Sequence, residues 1–399
     1  MIEQLDRSAG WIDQAAPADG AVRPASAGWA RRCLIGFACL LGMAVNGYLN
    51  LPVLSHIIGG DNDFMGFYAG AKLAGSHELY SPGALARLEA PLWERPRFLA
   101  FVRLPFYALC IAPLRFFSYR HAFWLWQAAS LAAVLLFIRL WPARAKWVTA
   151  VACCWSAPLL NCFIMGNDVT IVAMALAAAM ALLLGGRHFL AGCVFALCLI
   201  KYNLFLSMPL LIVGKRLWRF GGGAVAGGSV LLALSFAAGG WQWPAQYAAI
   251  LLRPTTTPNY QGMPNLRGLF SNLPYGIWLE AGAACLVLAA AWLAIRRSGM
   301  TRGIAAVLIS GLLLSHHAFF ADAFLLAPAA LLLLQSETRT LLKALGVLLL
   351  CPLAYVPLVL QAPPVFSPAA VSLLLLLCAV VFREDRRNGK ALAADIAGQ

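Results

Sequence analysis

The sequence predicts an all-α polytopic membrane protein of about twelve transmembrane helices, with an outer-face loop that carries short amphipathic helices. Three observations predict it. The 399 residues are 62% hydrophobic and only 12% charged, about half the charge of an ordinary soluble domain. Apolar runs recur from Cys33 to Phe382, and runs of ~17–22 residues suffice to cross a hydrocarbon core as a helix. Lys and Arg collect in short segments between those runs, the pattern that holds loops on the cytoplasmic side. Helices follow because lipid offers backbone polar groups no outside partner.

The net charge of +14 therefore reads as topology. No basic stripe interleaved with exposed aromatics points to nucleic acid. The eleven cysteines fall almost entirely inside apolar runs without a CxxC pair. They read as small packing residues.

Taken in order, residues 1–30 are polar and Ala/Pro-rich, with Glu3, Asp6, Asp13 and Asp19, and read as a disordered cytoplasmic tail. Arg31-Arg32 places the start of an uncleaved first helix inside. Residues 31–383 form one transmembrane domain with outer loops 55–103 and 241–273, and residues 384–399 form a cytoplasmic tail. Met65 to Gly75 is amphipathic and suits the membrane surface. Leu104 to Phe117 is apolar but short, with Pro105 and Pro113. Reading it as re-entrant or interfacial keeps Arg139, Arg144 and Lys146 inside.

Phe123–Trp141 then spans inward, Trp147–Ile164 outward and Thr170–Leu184 inward. Phe189–Ile200 and Leu204–Val213 are two short pieces hinged at Lys201-Tyr202-Asn203. Phe220–Gly240, Tyr275–Ile295, Ile304–Leu314, Phe319–Leu334, Leu345–Leu360 and Pro368–Phe382 complete the set. Positive loops alone set this alternation. Yet it brings Asp63, Asp168, Lys201, His316, His317 and Asp322 to the outer face together, which argues for one outward-facing site. The location implied is the inner (plasma) membrane, multi-pass, with both termini cytoplasmic and the site on the outer, periplasmic side.

Removing the acids in tails and inner loops leaves Asp61, Asp63, Glu78, Glu89, Glu94, Asp168, Glu280 and Asp322 as outer carboxylates. Ionisable groups at membrane depth are costly and are functional candidates by default. Asp63 follows the first span, against Phe64, Phe67 and Tyr68. There it can take a proton from a bound hydroxyl or cap the next helix. Asp61-Asn62-Asp63 is also a DxD triplet of the kind that holds a divalent metal beside phosphates.

Lys201, at a break between two undersized helices, can pair with a phosphate or with a carboxylate such as Asp168, or snorkel. His316 and His317 precede Asp322 by less than two turns without metal-ligand spacing. One of them can donate to a phosphate oxygen, or both are structural. Arg103, Arg115, Arg120, Arg253 and Arg267 are further outer cations. No Walker loop, Gly-x-Ser-x-Gly elbow or HExxH is present, so the chain has none of those nucleotide, hydrolase or metalloprotease signatures.

Six segments, in order, resemble a known family. They are Asp63-Phe64-Met65-Gly66-Phe67-Tyr68 with Leu79-Tyr80-Ser81-Pro82; Arg103-Leu104-Pro105 to Ala112-Pro113-Leu114 with Trp124; Met165-Gly166-Asn167; Ala191-Gly192 with Leu199-Ile200-Lys201; Met263-Pro264-Asn265-Leu266-Arg267; and Ser315-His316-His317 with Asp322. Over roughly residues 55–335 the chain is similar to the polyprenyl-phosphate-sugar-dependent glycosyltransferases of family 87, the α-mannosyltransferase-like group with the C-type membrane fold. It departs from the family pattern at Leu104, Tyr202, His316 and Ala321.

The resemblance implies an inverting hexosyl transfer, mannose foremost, from a polyprenyl-phosphate donor to a lipid or glycan acceptor. Asp63 would be the general base. Asp61, Tyr68, Arg103, Asn167, Lys201, Arg267, His316, His317 and Asp322 would bind substrate. Lys201, His317 and Arg267 would be the positive groups at the departing phosphate, and Asp63 need not have a raised pKa. No metal and no cofactor beyond the lipid-linked donor is expected, and the partners are the bilayer, donor and acceptor. The competing readings are a lipid or sugar transporter, which predicts repeats that are not visible, and a catalytically inactive membrane scaffold.

Overall fold

The computed structural model describes residues 25–58, 62–92, 99–142, 145–252, 260–336, 339–359 and 367–381. Asp61, Glu94, Arg144, Arg253, residues 1–24 and the C-terminal tail lie outside the described residues. All regular structure among the described residues is helical. The first helix, Ala25–Ile58, begins upstream of Arg31-Arg32, so residues 25–30, expected in the tail, are helical.

Among the described residues, five helices are long and apolar enough to cross a membrane: Trp29–Leu51, Tyr119–Leu140, His188–Phe205, Trp218–Gly239 and Gly276–Arg297. Their outward faces carry Leu34 and Phe37, Leu131 and Leu135, Val225 and Val230, or Ile277 and Trp278. These exposed apolar side chains suit lipid rather than water. The number rises to seven if Lys146–Trp155 with Ala157–Met165, bent by 65°, and Thr340–Leu350 with Pro352–Leu358, bent by 69°, are each one span. Both bends fall where a proline opens the second piece, at Pro158 and Pro352. A proline lacks the N–H and clashes with the preceding turn, so it starts helices and interrupts them.

The expected count of about twelve is therefore not reached by helices of crossing length among the described residues. Val169–Leu184 has 16 residues, Met300–Leu314 has 15 and Pro368–Val381 has 14. At 1.5 Å per residue such helices are ~21–24 Å long, short of a hydrocarbon core of about 30 Å. Met300–Leu314 buries almost every side chain from Arg302 to Leu313. A helix buried on all sides is apolar all round, as a lipid-facing span is, and composition does not separate the two.

The expected surface helix also differs. Phe64–Lys72 buries every residue from Phe64 to Ala71, so it is an internal helix rather than one lying on a membrane. Glycine makes this fit: a Cβ on Gly70 would stand 2.3 Å from the Phe101 ring. The segment Pro105–Ile111 continues as a 3₁₀ turn, Ala112–Phe116, and is too short to cross, in keeping with the re-entrant or interfacial reading.

The helices His188–Phe195 and Trp218–Gly239 cross at backbone contact. A Cβ on Gly192 would lie 2.0 Å from the Phe220 carbonyl oxygen, and one on Gly223 would lie 1.9 Å from that of Phe189. Gly222, one residue away, has open space around it. Gly223→Ala is expected to lower thermal stability in detergent, with a cost of about 1–3 kcal/mol for overpacking. Gly222→Ala should leave it unchanged or slightly raised, because alanine favours helix. Equal melting temperatures for the two variants would show that the helices separate readily.

Candidate active site

Three backbone features bring the polar residues to one place. The helix Ala157–Met165 stops at Gly166, whose φ of 64° is left-handed, a conformation glycine adopts without strain. A Cβ there would also press to 2.7 Å from the Cβ of Phe64. Trp126 Nε1 donates to the Gly166 carbonyl at 2.8 Å. This turn presents Asn167 and Asp168 immediately before Val169–Leu184. The second feature is the hinge. The 3₁₀ stretch Ala196–Phe205 breaks at Lys201, whose φ and ψ are −130° and 59°, so the break expected between two short helices is present. The third is the loop after Met300–Leu314, which carries Ser315 to Phe319 into the turn Phe320–Leu325.

Asp63 precedes Phe64–Lys72 at the N-cap position but makes no capping bond. The neighbouring Asn62 accepts from Met65 N at 3.2 Å and from the Tyr119 hydroxyl at 2.9 Å. The capping alternative thus passes to Asn62, and the Asp63 carboxylate is left for another partner. Asn167 Nδ2 donates to Asp63 Oδ2 at 2.7 Å. Lys201 Nζ reaches Asp322 Oδ1 at 2.5 Å and Asn167 Oδ1 at 3.0 Å, and pairs with Asp168 Oδ1 at 3.3 Å. Arg103 grips Asp168 with Nε to Oδ2 at 2.7 Å and Nη2 to Oδ1 at 2.9 Å. This two-point fork is the strongest form of the pair. The Lys201–Asp168 partnership weighed from sequence is therefore present. Asp322 Oδ2 in turn accepts from Phe319 N at 2.8 Å.

Several of these groups line a cavity of about 100 Å³, with Asp168 buried behind its wall. Asp63, Arg103, Asn167, Lys201, His316, His317 and Asp322 are all on its wall, joined by Phe67, Tyr202, Asn203, Tyr247 and Phe319. Burial raises the Asp63 pKa above the usual carboxylate value; the Asn167 bond and the Lys201 and Arg103 charges work against that rise, and Asp168 adds to it. The reaction that the resemblance implies does not require a raised Asp63 pKa, but burial supplies one. His317 is pushed down to about 4, first by burial and then by neighbouring cations, against the pull of Asp322. It is therefore a neutral hydrogen-bonding ring near pH 7.

Two predicted binding residues stand elsewhere. Arg267 pairs with Glu280 at 3.1 Å, lies over the Tyr260 ring and is not on the cavity wall. The Tyr68 hydroxyl donates to the Phe117 carbonyl at 2.9 Å, and its ring packs on Phe64 and Tyr119. Tyr68→Phe is expected to leave turnover and KM unchanged and to cost about 0.5–1.5 kcal/mol of stability, one ordinary hydrogen bond. A tenfold loss of turnover at unchanged stability would return Tyr68 to the site. Asp168, read from sequence as an outer carboxylate and a candidate partner for Lys201, is the centre that both cations share. Tyr202 and Asn203 had a signal in their adjacency to Lys201. Tyr247 had none, since its helix Trp243–Leu251 is remote in sequence.

A carboxylate held by one oxygen, cations in the same cavity and a surrounding helical bundle with apolar outer faces describe a membrane protein with a polar, charged cavity among its helices. The chain matches the family model for glycosyltransferase family 87 over residues 101–328, more than half of its length, and it belongs to that family. It is thus a glycosyltransferase by family. The matched segment contains Arg103, Asn167, Asp168, Lys201, His316, His317 and Asp322. Asp63 lies outside it and joins the others through Asn167. No curated protein and no solved structure matches the chain.

Proposed function

We propose that the protein is an inverting glycosyltransferase of the inner membrane. It moves a hexose, with mannose the first choice, from a polyprenyl-phosphate donor to a lipid or glycan acceptor on the outer face. The observation that carries this reading is the position of Asp63: one carboxylate oxygen is held by Asn167 on the wall of a cavity that also carries Arg103. The acceptor hydroxyl gives its proton to Asp63 while its oxygen attacks the anomeric carbon. The bond from that carbon to the phosphate oxygen breaks, and the polyprenyl phosphate leaves with the electron pair. Attack opposite the leaving group inverts the centre through an oxocarbenium-like state.

A phosphate monoester leaves readily, so the site needs positive or hydrogen-bonding groups at the phosphate more than a strong acid. Arg103 suits that role. Its guanidinium has five N–H groups, and the Asp168 fork and a bond to the Val102 carbonyl at 3.0 Å engage only part of them among the described residues. The guanidinium lies over the Phe67 ring, with 5.4 Å from its central carbon to the ring centre. His317, neutral, offers an N–H rather than a charge.

The base must be unprotonated to act, so activity is full above its pKa and falls about tenfold per pH unit below it. Because burial raises the Asp63 pKa, kcat/KM is expected to begin falling at a higher pH than an exposed carboxylate would give. A profile flat down to the ordinary carboxylate range of about 4 would contradict Asp63 as the base. The test of the donor is a panel: purified protein with polyprenyl-phosphate mannose, glucose or arabinose, and with nucleotide sugars, against extracted envelope lipids and glycans, with and without chelator. Transfer from a lipid-linked sugar that survives the chelator is expected. Transfer only from nucleotide sugars, or movement of the lipid across the bilayer without product, would overturn the reading.

A further inference from the structure

We propose that Lys201 and Asn167 are a positioning pair for the Asp63 carboxylate, with Lys201 acting through the amide rather than on the substrate phosphate. The inference rests on Asp63 being the base.

An ammonium has three protons. Lys201 Nζ has three protein acceptors within reach: Asp322 Oδ1 at 2.5 Å, Asn167 Oδ1 at 3.0 Å and Asp168 Oδ1 at 3.3 Å. Its side chain is 5% exposed, although it touches the cavity. A phosphate would have to displace one of these acceptors.

The bond to Asn167 also has a direction. An amide presents an acceptor at one end and a donor at the other, and its orientation is read from its neighbours. Lys201 can only donate, and Val169 N also donates to Oδ1 at 3.2 Å. Both require the oxygen on their side, so Nδ2 must face Asp63. A flipped amide would set its two N–H groups against an ammonium and a backbone N–H. Lys201 is fixed in turn by Asp322, which the Phe319 N–H anchors through its other oxygen. The chain of contacts thus runs from Phe319 through Asp322, Lys201 and Asn167 to Asp63. It crosses three separate elements and ends by holding Oδ2 of Asp63, which leaves Oδ1 for the acceptor hydroxyl.

The charged groups that act on Asp63 are Lys201, Arg103 and Asp168, with Asn167 as the direct hydrogen-bond donor. A hydrogen bond to a carboxylate favours its ionised form. Losing the Asn167 bond should therefore make the base harder to ionise and move the acid limb of activity to higher pH.

The experiment compares the wild type with Asn167→Ala and with the double variant Lys201→Met/Asp322→Asn. The double variant removes both charges of the closest pair and leaves Asp168 with Arg103. Each protein is read for the pH profile of kcat/KM, with the lipid-linked sugar that wild type turns over best, and for binding of polyprenyl monophosphate as the phosphate probe. Both variants are expected to shift the acid limb upward by about one pH unit and to bind the probe within about twofold of wild type. An unmoved limb in Asn167→Ala overturns the inference alone, provided wild type shows a limb and Asp63→Asn is inactive. A tenfold or greater loss of probe binding in the double variant, with the limb at its wild-type position, also overturns it and assigns Lys201 to the phosphate. Full activity in Asp63→Asn overturns the base reading itself and the inference with it. Asn167→Ala removes no charge, so it decides the first outcome even if the double variant fails to fold.

Discussion

Asp63→Asn is expected to reduce transfer by about 10²–10⁴-fold, the contribution of a positioned general base, while leaving the fold and polyprenyl-phosphate binding intact. The amide is the same size and can turn its oxygen toward Asn167 Nδ2, which now donates to Asp63 Oδ2 at 2.7 Å. The helix behind it should stay in place because Asn62, not Asp63, supplies the bond to Met65 N. The measurement is transfer of labelled sugar by purified protein, beside a thermal melt of each variant. Asp61→Asn should cost much less. Equal loss in the two variants, relieved by added divalent cation in the wild type after chelation, would point to a DxD metal site. A melt lowered in step with the activity of Asp63→Asn would point to a structural carboxylate.

Asp168→Leu is expected to be the most destabilising single change. Asp168 is fully buried between two cations, held by Arg103 at 2.7 and 2.9 Å and by Lys201 at 3.3 Å. Removing it leaves the Arg103 guanidinium without its carboxylate in a low-dielectric site. Breaking a buried pair on one side costs about 3–5 kcal/mol, whereas replacing both partners with apolar groups is often close to neutral. Arg103→Met/Asp168→Leu should therefore recover much of the stability lost in Asp168→Leu, because Lys201 retains Asp322. Thermal unfolding of the two single variants and the double variant in detergent or nanodiscs gives the coupling directly. A double variant that loses as much stability as the two single variants added together would mean that Arg103 and Asp168 act independently. The double variant should remain poorly active, since Arg103 is also the cation proposed for the departing phosphate.

The sequence by itself determined the class of fold and singled out the acids, cations and histidines that the structure places on the cavity wall: Asp63, Arg103, Lys201, His316, His317 and Asp322. Low charge and recurring apolar runs can be accommodated only by helices in lipid, and the scarcity of ionisable residues within those runs made each one conspicuous. Lys201 stood out because it interrupts two short apolar segments, and the backbone does break there. Asn167 was marked by the family resemblance of Met165-Gly166-Asn167, and the left-handed φ of Gly166 shapes its turn.

The tertiary structure decided the rest, because it depends on which neighbours share a surface. A buried 15-residue helix and a lipid-facing span have the same apolar composition, so the number of crossing helices was not readable from hydropathy. Met65 to Gly75 looked amphipathic, but in the helix Phe64–Lys72 that it forms, Leu99, Ala100 and Phe101 cover Gly66 and Gly70. Arg267 and Arg103 are alike in sequence as outer cations. Only the fold pairs Arg267 with Glu280 away from the cavity and sets Arg103 on the cavity wall, anchored by the buried Asp168 behind it. Whether Asp63 caps a helix or faces a cavity turned on one residue, because Asn62 satisfies the backbone and frees the carboxylate. Several of these choices are made by pairings between distant residues, Arg103 with Asp168, 65 positions on, and Asp63 with Asn167, 104 positions on, and no local pattern records them.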